Sequence, residues 1–455
     1  MSPNDQTKPQ TNRLSQLTHK PRVFADRGCR VKNKDGYLYD EELEEFLFSL
    51  PKVELHVHLD GSFELDILYR HLLWKGIRCL PIHSTLPWDA SLFPVRHLVE
   101  QTLLDGERPQ QKFQSLCICR GKRSLQEMIK CFEVFLPIVR GDLEFIEHLS
   151  CDFVKRQADQ NIKYTEVRYS PHLLAQGGSF NPEDMVVDAR SVVDAVTRGL
   201  RSGERLCHGK VRVNQILCCI TWRPDWADDV VEICIERRHQ TPCAVVGIDI
   251  AAGEEHFDSK KYPHLHSPHV DALTRAKEMG LNITVHAGEV DNTGQHVLDA
   301  IQKYHATRIG HGYRVARLIS TTSSEEDGAS LKRTAILEEL IRRQVHFEAC
   351  PTSSEETGGW DYRGKKNWEE HPLVCLIKNG LQVGINSDDP AVFDTSLTFQ
   401  YRIAAKKMKL GYVDLVQTVQ NAIDASFADA TIKEELQQEL TRFCKQHEHL
   451  LMSPN

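Results

Sequence analysis

Apolar residues gather in short runs bounded by turn residues along most of the chain, and eight of these runs carry the β-branched content of buried strands. They span residues 53–58, 164–169, 213–219, 244–250, 283–286, 307–310, 345–350 and 382–386. Between most of them, apolar positions recur at helical spacing. Examples are 181–203 (Val186, Val187, Ala189, Val193, Val196), 226–238 (Val230, Val231, Ile233, Cys234), 269–279 and 294–304. Ahead of the first strand, acidic and apolar residues alternate from Glu41 to Leu47 and predict a short helix ending near Pro51.

Short buried strands alternating with helices predict an α/β fold, a (β/α)8 TIM barrel occupying residues 51–440. No G-x-G-x-x-G follows any strand, and Gly310-His311-Gly312 is not that fingerprint, so a dinucleotide fold is disfavoured. Roughly a hundred residues separate the first two strands, which predicts a long helical excursion over about 62–160 at the carboxyl rim. Excursions of that length at a rim act as covers more often than as structureless loops. Residues 320–328 read as a polar surface loop, 1–50 as a polar extension with the short helix, and 441–455 as a C-terminal tail after closing helices.

Composition narrows the class. Lys and Arg number 56 against 64 Asp and Glu, a net charge of −8 that gives no general pull toward nucleic acid. Met1 is followed by polar sequence without the apolar segment of a signal peptide, and no run of 18 apolar residues offers a membrane span. The 14 cysteines are scattered, several within apolar runs (Cys131, Cys218, Cys219, Cys350, Cys375), as reduced thiols of a cytoplasmic protein would be. Cys117 and Cys119, with His97 and His148, lack zinc-finger spacing. Lys8, Lys20, Arg22, Arg27, Arg30, Lys32 and Lys34 make a mildly basic arm, read as a solvated extension. A soluble monomer is expected.

The chemistry begins in the first strand. Alternation puts His56 and His58 on one face, about 6–7 Å apart along the backbone, where both imidazoles can meet one metal ion, and Asp60 follows on that face. Strand five ends in His286-Ala287-Gly288-Glu289, strand six in Gly310-His311-Gly312, and strand eight in Asn386-Ser387-Asp388-Asp389. A barrel brings all of these to the carboxyl rim. His56, His58 and His286 supply nitrogens and Asp388 an oxygen for one zinc ion per chain, with a further position for water of lowered pKa. The fourth strand ends Ile248-Asp249-Ile250-Ala251-Ala252-Gly253 without a lysine, which favours one metal over two. Glu289 can carry a proton, and His311 and Asp389 can flank the water. That pairing suits attack on an electron-poor C=N carbon, with amide or ester hydrolysis also compatible.

These stretches resemble the adenosine deaminase family of the adenosine/AMP deaminase superfamily: 53–61 (VELHVHLDG), 166–175 (EVRYSPHLLA), 285–289 (VHAGE), 309–313 (IGHGY), 347–353 (FEACPTS) and 386–390 (NSDDP). The resemblance covers residues 50 to 440 and implies zinc-dependent conversion of adenosine and 2′-deoxyadenosine to inosine and 2′-deoxyinosine with release of ammonia. It implies that Glu289 protonates purine N1 while hydroxide adds at C6, that His311 holds and activates the water, and that Asp389 contacts the water and N7. It further implies that the Gly253 N–H meets N3 and that Asp60 binds the ribose 5′-hydroxyl. Leu125, Met128, Ile129 and Phe132 recur on one helix face, at the place where the family's helix closes over the nucleoside; packing against the barrel is the other reading of that face.

The chain departs from the common pattern in its 50 leading residues, in extra sequence at 106–122, and in Gly253-Glu254-Glu255, where the carboxylate order differs. Rival readings are a deaminase of AMP or N6-methyl-AMP, whose phosphate dianion Asp60 would repel, and a secreted growth-factor-like relative, which would need disulfides. A non-catalytic barrel is the third, disfavoured because no expected ligand or proton carrier is missing.

Overall fold

The computed structural model describes residues 40–77, 79–82, 91–94, 108–121, 124–175, 187–257, 261–290, 293–319, 327–360 and 367–452. Eight parallel strands follow one another around a barrel: β1 (Lys52–His58), β2 (Ile162–Tyr169), β3 (Arg212–Ile220), β4 (Val245–Ala251), β5 (Asn282–Ala287), β6 (Arg308–His311), β7 (His346–Ala349) and β8 (Gln382–Ile385). Each pairs with its successor, and the expected (β/α)8 barrel is the fold this chain forms. The register aligns His58 with Arg168 and His286 with Gly310.

The ring closes between its first and last strands without a full ladder. Val57 and Asp388 form an isolated parallel bridge. His58 N donates to Asp388 O at 2.8 Å and Asp388 N to His56 O at 3.1 Å. Asn386 completes the seam by accepting from the backbone N–H groups of Leu55 and His56 at 2.9 and 3.0 Å. A side-chain amide thus does the work of a missing strand neighbour.

Helix Glu41–Ser49 packs with the barrel, because buried Glu44 pairs with Arg402 at 2.6 Å and Lys406 at 3.2 Å. Phe46 packs tilted against Tyr412 and edge-on against Phe443. The compact unit accordingly runs from Glu41, not from residue 51. Of the expected extension, residues 1–39 with their basic side chains lie outside the described residues.

Other expected boundaries move too. The helix expected at 181–203 spans Ala189–Leu206, because the Asp188 carboxylate accepts from Ser191 N at 2.7 Å and caps it there. Val187 stands before the cap, and 181–186 lie outside the described residues. The helix expected at 269–279 starts earlier, at Pro263, a residue preorganised for a first turn. Within the loop expected at 320–328, Asp327 and Gly328 already belong to helix Asp327–Arg342, and 320–326 lie outside the described residues. Much of the expected tail is helical: Ala430–Gln446 buries Leu440 and Phe443, and Glu448–Leu451 follows.

The excursion after β1 is built mostly of helices, Leu65–Trp74, Pro109–Cys117, Leu125–Val139 and Leu143–Asp159, with a small antiparallel hairpin of Cys79–Ile82 and Ser91–Pro94. Helix Pro109–Cys117 falls within the extra sequence at 106–122. Among the described residues, no helix is long and apolar enough to cross a membrane, and the twelve cysteines from Cys117 to Cys444 are free.

Candidate active site

His56 is fully buried and His58 lies at the mouth of the barrel, both on β1, and β5 brings His286 alongside. The His58 and His286 Nε2 atoms are 3.2 Å apart. Asp388, just beyond β8, puts Oδ1 at 3.2 Å from His56 Nε2 and 3.5 Å from His58 Nε2. All four donor atoms lie within 4.8 Å of one another. Asp388 adopts φ +65°, and His311, facing it, φ +68°, left-handed conformations that cost a non-glycine residue about 1–3 kcal/mol each. Both strained residues stand at the site.

Each buried imidazole is aimed by a carboxylate behind it. Glu348 on β7 takes the His56 Nδ1 proton at 2.8 Å, and Asp249 on β4 takes that of His286 at 3.0 Å. These bonds fix the tautomer, leaving both Nε2 lone pairs directed at the cluster. His56 Nε2 makes no hydrogen bond although fully buried. Three imidazole nitrogens and a carboxylate oxygen converging on one point are a donor set that fits a divalent cation such as zinc.

The carboxylates are themselves held. Arg168, wholly buried on β2, donates to Glu348 at 2.6 Å, to Asp249 at 2.8 Å and to Leu55 O at 2.6 Å. Arg308 donates to Glu348 at 2.7 Å, pairs with Glu166, and lies over the Phe427 ring. Burial alone would raise the pKa of Asp249, but His286 and Arg168 hold it at about 2. Burial is likewise outweighed at Glu348 by the two arginines, and its pKa lies well below the ordinary value. Both carboxylates stay ionised.

The residues expected to handle protons ring this cluster. His311 Nε2 is 3.6 Å from Glu289 Oε2 and 4.0 Å from Asp388 Oδ2. Tyr313 OH donates to Cys350 O at 3.0 Å and accepts from Cys350 N at 2.8 Å, so its contact with His311 Nδ1 at 3.3 Å requires a proton on Nδ1. Burial keeps His311 neutral, its pKa well below the usual range, and its Nε2 is then a base facing the cluster. Burial first, and then Asp388, Asp60 and Glu289, push the pKa of Asp389 far up. Burial pushes Asp60 up to about 7. Gly61 makes room for this crowd: a Cβ there would fall 1.8 Å from Asp389 Oδ1.

The structure thus gathers His56, His58, His286, Asp388, His311, Glu289 and Asp389 in one place, with Asp60 and Gly253 on the turns that leave β1 and β4. On helix Leu125–Val139, Leu125 and Met128 are buried and Ile129 and Phe132 half-buried against the apolar core, and the helix reaches the Asp60–Ser62 turn. Sequence reasoning passed over Arg168, Asp249, Glu348, Tyr313 and Cys350. For Asp249 the available signal was a lone charge inside an otherwise apolar strand, since such a charge must find a buried partner.

Fold and rim together define the class, a (β/α)8-barrel hydrolase. The sequence profile described as adenosine deaminase matches residues 104–443, and the chain belongs to that family, whose chemistry is hydrolytic deamination. It is 32% identical over 398 residues to adenosine deaminase of Xenopus tropicalis, covering 87% of this chain and 96% of that protein. With adenosine deaminase of Bos taurus it shares 31% over 393 residues, 86% and 93% of the two chains. Arabidopsis ADAL complexed with IMP has the same fold at TM-score 0.64 and 24% identity, covering 89% of this chain and 99% of that one. A Burkholderia ambifaria amidohydrolase with bound Zn superposes at TM-score 0.68 and 18% identity, over 92% and 98%.

Proposed function

We propose that this chain is a zinc-dependent adenosine deaminase, converting adenosine and 2′-deoxyadenosine to inosine and 2′-deoxyinosine with release of ammonia. The observation that carries the reading is the convergence of the four donor atoms within 4.8 Å, beside a neutral His311 and the Glu289 carboxyl. His56, His58, His286 and Asp388 hold one zinc ion. The metal supplies Lewis acidity, which makes water nucleophilic near neutral pH.

The remaining work falls to side chains. His311 Nε2 accepts the proton of the water that adds to C6, since its Nδ1 proton is committed to Tyr313. Glu289 delivers a proton to N1, so that charge does not accumulate on the ring as the C6–O bond forms. N7 is an acceptor and needs a donor, and the raised pKa of Asp389 leaves it protonated for that purpose. As the C6–N bond breaks, the proton held by His311 passes to the amino group, which departs as ammonia, and the C6 hydroxyl returns a proton to Glu289. Asp60 accepts from the 5′-hydroxyl, the Gly253 N–H donates to N3, and Leu125, Met128, Ile129 and Phe132 close over the nucleoside. The free cysteines support a reducing, cytoplasmic setting, in which we take the chain to act as a monomer.

The adenosine deaminases of frog and cattle support the nucleoside, and a buried carboxyl at position 60 disfavours a 5′-phosphate. The test is kcat/KM of the zinc-loaded protein for adenosine, AMP and N6-methyl-AMP. Adenosine is expected to lead, and a preference for either nucleotide would defeat the assignment.

A further inference from the structure

We propose that Glu254 is the residue that positions Glu289 for proton transfer, an inference that rests on the reading of Glu289 as the proton carrier. Ala252 and Gly253 both take left-handed conformations, φ +62° and +66°, and turn the chain sharply as it leaves β4. Glycine is needed at 253, since a Cβ would also lie 2.8 Å from His256 Nδ1. The turn opens into the short helical segment Glu254–Phe257 and sends the Glu254 side chain under the loop that follows β5.

There its carboxylate is only 3% exposed and meets five polar hydrogens or lone-pair partners. It accepts from Gly288 N, from Glu289 N at 2.8 Å, from Val290 N at 3.1 Å and from Thr293 Oγ1 at 3.1 Å, and it pairs with His296 Nδ1 at 3.2 Å. Three successive backbone N–H groups aimed at one anion form an anion-binding concavity whose occupant is supplied by the preceding loop of the same chain, the one after β4. The negative charge also stands before the N-terminus of helix Gly294–Gln302, where the helix field favours it.

Pinning the N–H groups of residues 288, 289 and 290 fixes the Glu289 Cα and the direction of its Cβ. Only side-chain torsions are then left to place the carboxyl, which sits 3.6 Å from His311 Nε2. Asp at 254 would withdraw the carboxylate by about 1.5 Å, one C–C bond. A displacement near 1 Å in a reacting group costs on the order of 10²-fold in rate.

The test uses the full-length, zinc-loaded protein carrying Glu254→Gln or Glu254→Asp, each alone and combined with Glu289→Gln. Gln keeps the length but replaces one accepting oxygen with an NH2 group that cannot accept an N–H. Alone, Glu254→Gln is expected to lower kcat by about 10²-fold while adenosine KM stays within about threefold and zinc remains stoichiometric. In the Glu289→Gln background the same change is expected to lower kcat by no more than about threefold, because the group it positions is gone. Glu254→Asp keeps the charge and the fold and is expected to fall between wild type and Glu254→Gln, which keeps the test alive should Gln destabilise the protein. Equal losses in both backgrounds, a loss confined to KM or zinc, or near-normal kcat in both Glu254 variants would overturn the proposal. If instead Glu289→Gln alone stays active, the reading of Glu289 fails and takes the proposal with it, a result distinct from failure at Glu254.

Discussion

Replacing Asp249 by Asn tests whether the groups behind the cluster tune it or merely fill the barrel. The substitution keeps the shape and removes the charge that receives the His286 Nδ1 proton at 3.0 Å and the Arg168 guanidinium at 2.8 Å. A carboxyl held near 2 rather than 3.8 favours its ionised form in the fold by about 2–3 kcal/mol. The sign follows from a depressed value: this stability is fully present above 3.8 and is lost as the pH falls through 2, so at pH 7 all of it is at stake. Apo Asp249→Asn is therefore expected to unfold in urea with about 2–3 kcal/mol less stability than wild type. Loss of the anionic partner should also weaken zinc binding by about 10–100-fold, or roughly 1.4–2.7 kcal/mol, measured by competition with a chromophoric chelator. A variant that is less stable but binds zinc within about threefold of wild type would show that Asp249 serves Arg168 and not the metal. If neither quantity moves, the hydrogen bond to His286 carries no weight and the reasoning fails.

Three further outcomes are expected. Glu289→Gln should keep fold and zinc while lowering kcat by about 10²–10⁴-fold, and retention of more than about a tenth of wild-type kcat would pass the proton-donor role to another residue. Chelation should abolish turnover and one zinc per chain should restore it, while His286→Ala should lose both metal and activity; metal analysis finding two tightly held ions would sink the mononuclear scheme. Asp60→Ala should chiefly raise KM for adenosine and do less harm with 5′-deoxyadenosine, so equal damage with both substrates would move the 5′ pocket elsewhere.

The parts of this protein legible in its sequence are those set by local periodicity. Two-residue alternation placed His56 and His58 on one face of a strand, and apolar runs bounded by turns located all eight barrel strands. Where a local signal competed with periodicity, it prevailed: Asp188 caps its helix at 189 although the apolar pattern continues upstream through Val187. The hairpin Cys79–Ile82 with Ser91–Pro94 was not expected, and each of its strands carries a proline, a residue that lacks the N–H of a ladder. The interior ion network escaped for a different reason. Arg168 finds Asp249 and Glu348 at separations of 81 and 180 residues, and nothing near Arg168 in the chain announces either one. Glu254 was visible only as a departure from a pattern, since its partners are contributed by backbone rather than by side chains.

The seam between β8 and β1 has a consequence for how the protein comes into being. Leu55 and Asn386, whose hydrogen bond helps close the ring, are 331 residues apart, and the same juncture unites His56 with Asp388. During synthesis, the first two histidines leave the ribosome long before the carboxylate that completes their set, and at about 5–20 residues per second the interval is tens of seconds. Contacts of such sequence separation form late, because chain closure must be met before they return any stability. Nascent chains stalled before residue 388 are therefore expected to expose an open barrel edge, the species on which chaperones act. Catalytic competence would then arrive in one late step, when the last strand docks against the first.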